Sequence, residues 1–423
     1  MNVEALKKDA AAAVDSMRAE LLELSHAIHQ EPELALEEFK AAARLSDAVA
    51  AHSLPVQREA FGLKTAYVAD FGKHSGPVIA VLSEYDALPG VGHACGHNII
   101  ATAGLGAAMA LAKLGANLPG RVRYLGTPAE ERFGGKEILA RAGAFEGVDA
   151  AMMIHPANVD LVTMPCIAIS EVEVTYFGRA AHASAMPYRG LNALDAVVTA
   201  YQSIAQLRQH IRQTERIHGI ITDGGLAANI VPERAACRFY VRAADVHELA
   251  ALKKRVQACF EAAALATGCT VRTSWGAADY LDLKTNWPMA EAIAKNIESL
   301  GRELVPVGSI PPGFAGSTDM GNVSHRVPSV HPMLAVAPAN VIIHNAEFAR
   351  WAASEKGDAA VIDGAKSLAW TALDLMGDPA LLERARADFA ATAELSRSAL
   401  ACLDEKVADI HPVVHAHPGC GCT

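Results

Sequence analysis

Two carboxylates, two histidines and a cysteine fall within SEYDALPGVGHACGH, residues 83–97. Cys95 and His97 are two residues apart, a spacing that would point them to different sides of a helix. Pro89, Gly90, Gly92 and Gly96 instead specify a loop, in which both side chains can turn toward one ion. A thiolate and an imidazole suit zinc, and carboxylates accept manganese as well. Further on, Glu130 and Glu131 are adjacent carboxylates. One of such a pair can hold an ion while the other takes a proton from a water that the ion has acidified. His155 and His344 each follow a short apolar run. Taken singly, each of these is ordinary: a buried cysteine beside a loop histidine, a solvated acidic turn, two structural histidines. Together they place three histidines, a cysteine and a glutamate near strand ends, with a spare glutamate and an aspartate.

The surrounding elements explain how these groups meet. Residues 2–52 read as helices interrupted at Pro32. The runs at 77–86, 121–131 and 149–156 read as buried strands, with helices at 98–114 and 135–142 between them. Each strand delivers its polar residues at its C-terminal end: Asp86, then Glu130 and Glu131, then His155. Open α/β sheets bind ligands along that edge. From about 167 the order becomes β-α-β-β-α-β, the split ferredoxin-like unit. The α/β character then returns with helices at 288–300, 358–376 and 380–405, a polar loop at 311–325 and a strand near 333–337. The expected fold class is α/β, a catalytic domain in two parts (1–166 and 284–405) interrupted by an α+β domain (167–283) and followed by a tail (406–423).

The chain has 423 residues and a net charge of −10, and its densest basic run, Lys253-Lys254-Arg255, sits in an expected helix. That excludes a nucleic-acid-binding face. The eight cysteines follow no framework spacing. Asp9, Asp15 and Glu20 break up the N-terminal apolar residues, so no secretory leader is expected. The longest apolar run, Ile99–Ala112, falls short of the roughly 20 residues that span a bilayer. The expectation is a soluble cytoplasmic protein with no membrane partner.

In order along the chain, EYDALPGVGHACGHN, GTPAEE, GRAAHASAMPYRGLNA, NIVPERA and GSTDMGNVS resemble the M20 family of metallopeptidases, over roughly residues 15–376. Within it they are most similar to subfamily D, the amidohydrolase and aminoacylase branch that holds p-aminobenzoyl-glutamate hydrolase, related dipeptidases and 5-nitroanthranilic acid aminohydrolase. The resemblance implies a metal-dependent exopeptidase-like catalytic domain carrying a ferredoxin-like lid that also dimerises. It implies that Cys95, His97, Glu131, His155 and His344 hold one or two divalent ions, manganese or zinc, with Cys95 able to bridge. It implies Glu130 as general base and Asp86 as the carboxylate that orients a histidine ligand. His182 becomes a lid histidine that stabilises an oxyanion in the partner's active site, and Asn229 a lid residue near the substrate's carboxylate.

Three departures bear on substrate. Glu84 stands where many members carry histidine, Asn98 where many carry aspartate, and Arg189 where the dipeptidase group tends to carry an acid. Arg189 is either a surface residue or a contact for an acidic or aromatic carboxylate. Asp319 either binds substrate or caps a helix. His93 either lines the site or is a loop residue. The tail HPVVHAHPGCGCT is metal-binding by composition and reads as a mobile extension. The expected activity is hydrolysis of a C–N bond, an amide in a small carboxylate-bearing substrate such as an N-acyl amino acid, a dipeptide or an aroyl-glutamate. Two other readings remain at this point: hydrolytic deamination of an aromatic amine at the same metal site, and a non-catalytic binding protein on a hydrolase fold.

Overall fold

The computed structural model describes residues 2–309 and 315–404. The tail at 411–423 and residues 310–314 of the polar loop lie outside the described residues. The chain divides into two compact units, one running to Cys166 and resuming over Asp282–Ser398, the other comprising Ile167–Leu281 and the chain from Ala399.

Unit 1 opens with α1 (Val3–Ser16), α2 (Arg18–Gln30) and α3 (Phe39–Ala51), followed by β1 (Gln57–Arg58), β2 (Tyr67–Gly72), β3 (Val78–Ser83), α4 (His97–Lys113), β4 (Arg121–Gly126), α5 (Gly135–Arg141), β5 (Ala150–Met152) and β6 (His155–Ala157). Unit 2 supplies β7 (Ala168–Phe177), α6 (Ala193–Leu207), β8 (Arg216–Asp223), β9 (Arg234–Ala243), α7 (Val246–Thr267) and β10 (Thr270–Trp275). The chain continues through α8 (Trp287–Ser299), α9 (Met320–Ser324), β11 (Ser329–Val330), β12 (Met333–Ala335), α10 (Ala346–Ala352), α11 (Glu355–Gly377), α12 (Pro379–Ala391) and α13 (Ala393–Asp404).

The main sheet of unit 1 has the order β1-β2-β4-β3-β5-β11, and β4, β3, β5 and β11 run parallel. Side chains of a strand alternate between faces, and β3 shows it: Ile79 and Val81 enter one apolar cluster, Ala80 and Leu82 the other. Both faces are therefore covered, which suits a parallel sheet. Helix α4 is buried along almost its whole length. Its small residues allow this, since a Cβ at Gly104 would collide with the Ser83 hydroxyl of β3.

Three helical expectations shift. The first helix is two, parting at Met17. Residues 34–38 stay non-helical and α3 begins at Phe39. The helix expected at 380–405 breaks at Thr392. Its end, Ala399 with Leu400, Cys402 and Leu403, packs with Val246 and Leu281 and so belongs to unit 2.

Unit 2 is an antiparallel sheet in the order β10-β7-β9-β8. Along β7, Val172, Val174 and Tyr176 are buried in a cluster shared with α6 and α7, while Glu171 and Glu173 face the other way.

Candidate metal and catalytic site

Gly96 makes the cysteine–histidine pair work. It adopts φ +79°, and a Cβ there would collide with the Pro156 side chain; only glycine takes that conformation without strain. The chain thus leaves the loop at Cys95 and enters α4 at His97 with both side chains aimed inward. His97 Nδ1–H donates to Asp86 Oδ1 at 3.0 Å, leaving Nε2 for the site. Asp86 Oδ2 also accepts the backbone N–H of Glu131 at 2.9 Å, so one buried carboxylate steadies two candidate ligands. Burial works against ionised Asp86, yet His97 and the Glu131 N–H hold its carboxyl below the usual range.

His155 Nδ1–H donates to Pro156 O at 2.7 Å, and Nε2 lies 3.4 Å from Cys95 Sγ. His344 has φ +69° and donates its backbone N–H to Ala94 O at 2.8 Å. Its Nε2 stands 3.8 Å from Glu131 Oε2. Ala129, just before the glutamate pair, also has a positive φ of 63°. Strain of this kind persists where the surroundings impose it, often at functional sites.

One candidate ligand atom from each of Cys95, His97 and His155 lies within 4.8 Å of the others, and the same holds for Cys95, Glu131 and His344, and for Glu84, His97 and Glu130. Among the described residues, buried His97 Nε2, Glu131 Oε1 and Glu84 Oε2 have no hydrogen-bond partner. Such atoms are costly unless something binds them, and a divalent ion meets this donor set of thiol, imidazole and carboxylate. Burial pushes the Cys95 thiol well up, with Glu131 adding to it. Burial also raises Glu131 to about 7, against the pull of His97. Glu130 is pushed well above the carboxylate range by burial, then by Glu84, Glu131 and Asp319. A bound dication inverts these preferences, so the fold and the donor set fit the ion together.

Several of these contacts could not be read from the sequence. Lys136 is fully buried and pairs with both Glu84 and Asp319 (2.7 Å to Asp319 Oδ1). Burial opposes its charge, but the two carboxylates hold it above the usual lysine range. Asp319 precedes α9 without capping it; its Oδ2 accepts the Lys136 backbone N–H at 2.8 Å. His331 is buried with its ring 5.6 Å from that of His155, and burial keeps it well below the usual histidine range. Glu38 accepts from Thr65 and from the Ala129 N–H. His93 is buried rather than on an open loop, and burial lowers it to about 3.

His182, Arg189 and Asn229 stand on unit 2 and are exposed. His182 and Ile230 form a bridge, and Ala183 N–H donates to Asn229 O, so the first and last of these residues are neighbours. His182 Nδ1 accepts from the backbone N–H groups of Ser184 and Ala185, each at 3.3 Å. A ring accepting at Nδ1 carries its proton on Nε2.

Comparison with known proteins decides the family. The profile of peptidase family M20/M25/M40 matches residues 80–366. The chain belongs to this family. An Xaa-Arg dipeptidase of Mus musculus is 42% identical over 401 residues, covering 92% of this chain and 93% of that protein. A p-aminobenzoyl-glutamate hydrolase chain of Escherichia coli is 28% identical, covering 88% of this chain and 92% of that one. Among solved structures, a dinuclear metal-binding M20 peptidase of Bacillus subtilis superposes with a TM-score of 0.62 at 20% identity, covering 86% of this chain and 99% of that one. This M20 chain is a hydrolase of carbon–nitrogen bonds, carrying out metal-dependent amide hydrolysis on small carboxylate-bearing substrates. That removes the non-catalytic reading. Among the described residues no helix is long and apolar enough to cross a membrane.

Proposed function

We propose that the protein is a cytoplasmic dipeptidase or aminoacylase-type amidohydrolase whose substrates resemble the Xaa-Arg dipeptides named for its mouse relative. The observation that carries this reading is the meeting of Cys95, His97, Glu131, His155 and His344 around buried atoms that lack hydrogen-bond partners among the described residues, with Glu130 beside them. Cys95, His97, Glu131, His155 and His344 would hold one or two manganese or zinc ions, drawing on the sets Cys95–His97–His155 and Cys95–Glu131–His344. When bound, they polarise the scissile carbonyl and acidify a water. Glu130 takes the proton of the attacking water and delivers it to the leaving nitrogen. Asp86 fixes the tautomer of His97. His182 Nε2–H would donate to the oxyanion in the partner subunit's active site, with Asn229 near the substrate's carboxylate and Arg189 as a further contact for it. Unit 2 is the lid and also builds a homodimer. In support, β8 is a sheet edge carrying Ile220 and Ile221, 62% and 45% exposed, followed by Leu226 at 92%. Exposed apolar edges of this kind favour pairing.

The test is mass spectrometry of products after loading with manganese or zinc and adding Xaa-Arg dipeptides, N-acyl amino acids, p-aminobenzoyl-glutamate and amino-nitrobenzoates. Paired acid and amine products from the dipeptides are expected. A hydroxyarene with released ammonia as the sole product would overturn the dipeptide assignment.

A further inference from the structure

An apolar groove of about 550 Å³ opens in unit 1, lined by Leu161, Met164, Met333, Ile342, Ile343 and Gly316 among others. Its size suits part of a small substrate. Three backbone relations tie it to the metal-ligand residues. Met333 of β12 pairs in register with His155 of β6, and laterally paired residues of neighbouring strands share a face. Leu161 bridges Met333 from the other side, through hydrogen bonds of 3.0 and 2.9 Å. Ile342 and Ile343 lead directly into His344, and Ile342 keeps 66% of its surface exposed. A large apolar side chain left open beside candidate metal ligands calls for an occupant.

We propose that this groove receives the apolar side chain of the acyl half of the substrate, the N-terminal residue of a dipeptide, and so sets a preference for large aliphatic or aromatic residues there. The proposal rests on the amide-hydrolase reading above. Nothing charged is needed for this recognition: two methionines supply adaptable, polarisable walls, and the two isoleucines supply the rim. A hydrophobic pocket discriminates by about 10- to 200-fold per methylene, so Leu-Arg and Phe-Arg should exceed Gly-Arg in kcat/KM by at least about tenfold.

The first arm of the test measures kcat/KM for Gly-Arg, Leu-Arg and Phe-Arg with the manganese-loaded protein and its Ala339→Trp and Ile342→Ser variants. Ala339 also lines the groove and is exposed, so tryptophan there fills the groove without disturbing the core. Both variants should lower the Leu-Arg to Gly-Arg ratio, by about tenfold for the tryptophan. The second arm needs no turnover. With 13C-methyl methionine, the Met164 and Met333 signals should shift on adding 4-methylpentanoate and stay in place with acetate. An unchanged ratio in both variants, or methyl signals indifferent to 4-methylpentanoate, overturns the groove. Shifted methyls in a protein that cleaves none of the dipeptides keep the groove and reject the dipeptide assignment instead.

Discussion

The two units each place a cation between two carboxylates, with opposite consequences. In unit 1, Lys136 lies between Glu84 and Asp319, and all three side chains are 0% exposed. In unit 2, Arg238 lies between Glu171 and Glu173 on the outer face of the sheet, with side-chain exposures of 37%, 15% and 49%. The charge pattern is the same, but the side chains on unit 2 are partly exposed to solvent and those on unit 1 are not. A buried ionic group is strongly destabilising once a partner is removed, whereas an exposed pair contributes little. The buried cluster also leaves Glu84 Oε2 without a hydrogen-bond partner among the described residues, near His97 Nε2 at 3.6 Å. Unit 1 thus concentrates unresolved charge where an ion can resolve it, and unit 2 keeps its charge where solvent does.

The largest effect that would sharpen this contrast is on turnover. Glu130→Gln keeps shape and burial but cannot accept the proton, so kcat should fall by about 10²- to 10⁴-fold. Metal content by inductively coupled plasma mass spectrometry should stay at the parent level; loss of metal would show Glu130 to be a ligand instead. Next comes Lys136→Met, which strands two buried carboxylates. Urea titration of the metal-free protein should show a loss of about 3–5 kcal/mol. A loss below about 1 kcal/mol would place this cluster in the same class as the one on unit 2.

Glu38 gives a pH-dependent effect. Burial and the charge of Asp86 raise it from 4.5 to about 7. Because the folded value lies above the unfolded one, its contribution is complete below about pH 4.5, declines as pH rises, and is gone above about pH 7. The shift corresponds to about 3 kcal/mol. Stability of metal-free protein should decline across that window, and Glu38→Gln should flatten the decline; an unchanged slope would assign it to other groups. Asp86→Asn is smaller again. Removing the carboxylate behind His97 should weaken manganese binding by about 10- to 100-fold in calorimetry.

How much of this was legible in the sequence follows from which interactions are local. Cys95, Gly96 and His97 announce themselves because loop chemistry and ligand chemistry coincide in three residues. The strand ends announce Glu130, Glu131 and His155 because apolar runs stop there. Lys136 gave no such signal, since a lysine early in a helix defaults to solvent. Its burial depends on Asp319, 183 residues away. Asp319 stayed open between a cap and a substrate contact for the same reason: its neighbourhood in sequence is all turn formers, and its partner is remote. The helix break at Met17 was hidden by strong helix formers on both sides.

The smallest effect is the one on which the comparison depends most. Arg238→Met removes the cation from the outer face of unit 2, where Arg238 Nη2 reaches Glu173 Oε1 at 2.6 Å and Nε reaches Glu171 Oε1 at 3.1 Å. Both arginine contacts lie within ion-pair distance, as the lysine contacts do, so distance alone would make the two substitutions alike. Solvent screening argues otherwise, and the cost should stay below about 1 kcal/mol. It should also be the same with and without metal, since the candidate donors among the described residues all belong to unit 1. Raising the salt to 1 M shortens the screening length to about 3 Å and should shrink even that cost, while the Lys136→Met cost persists. Urea titrations of the two variants at low and high salt read this directly. Equal salt sensitivity would mean that burial is not what separates the two clusters.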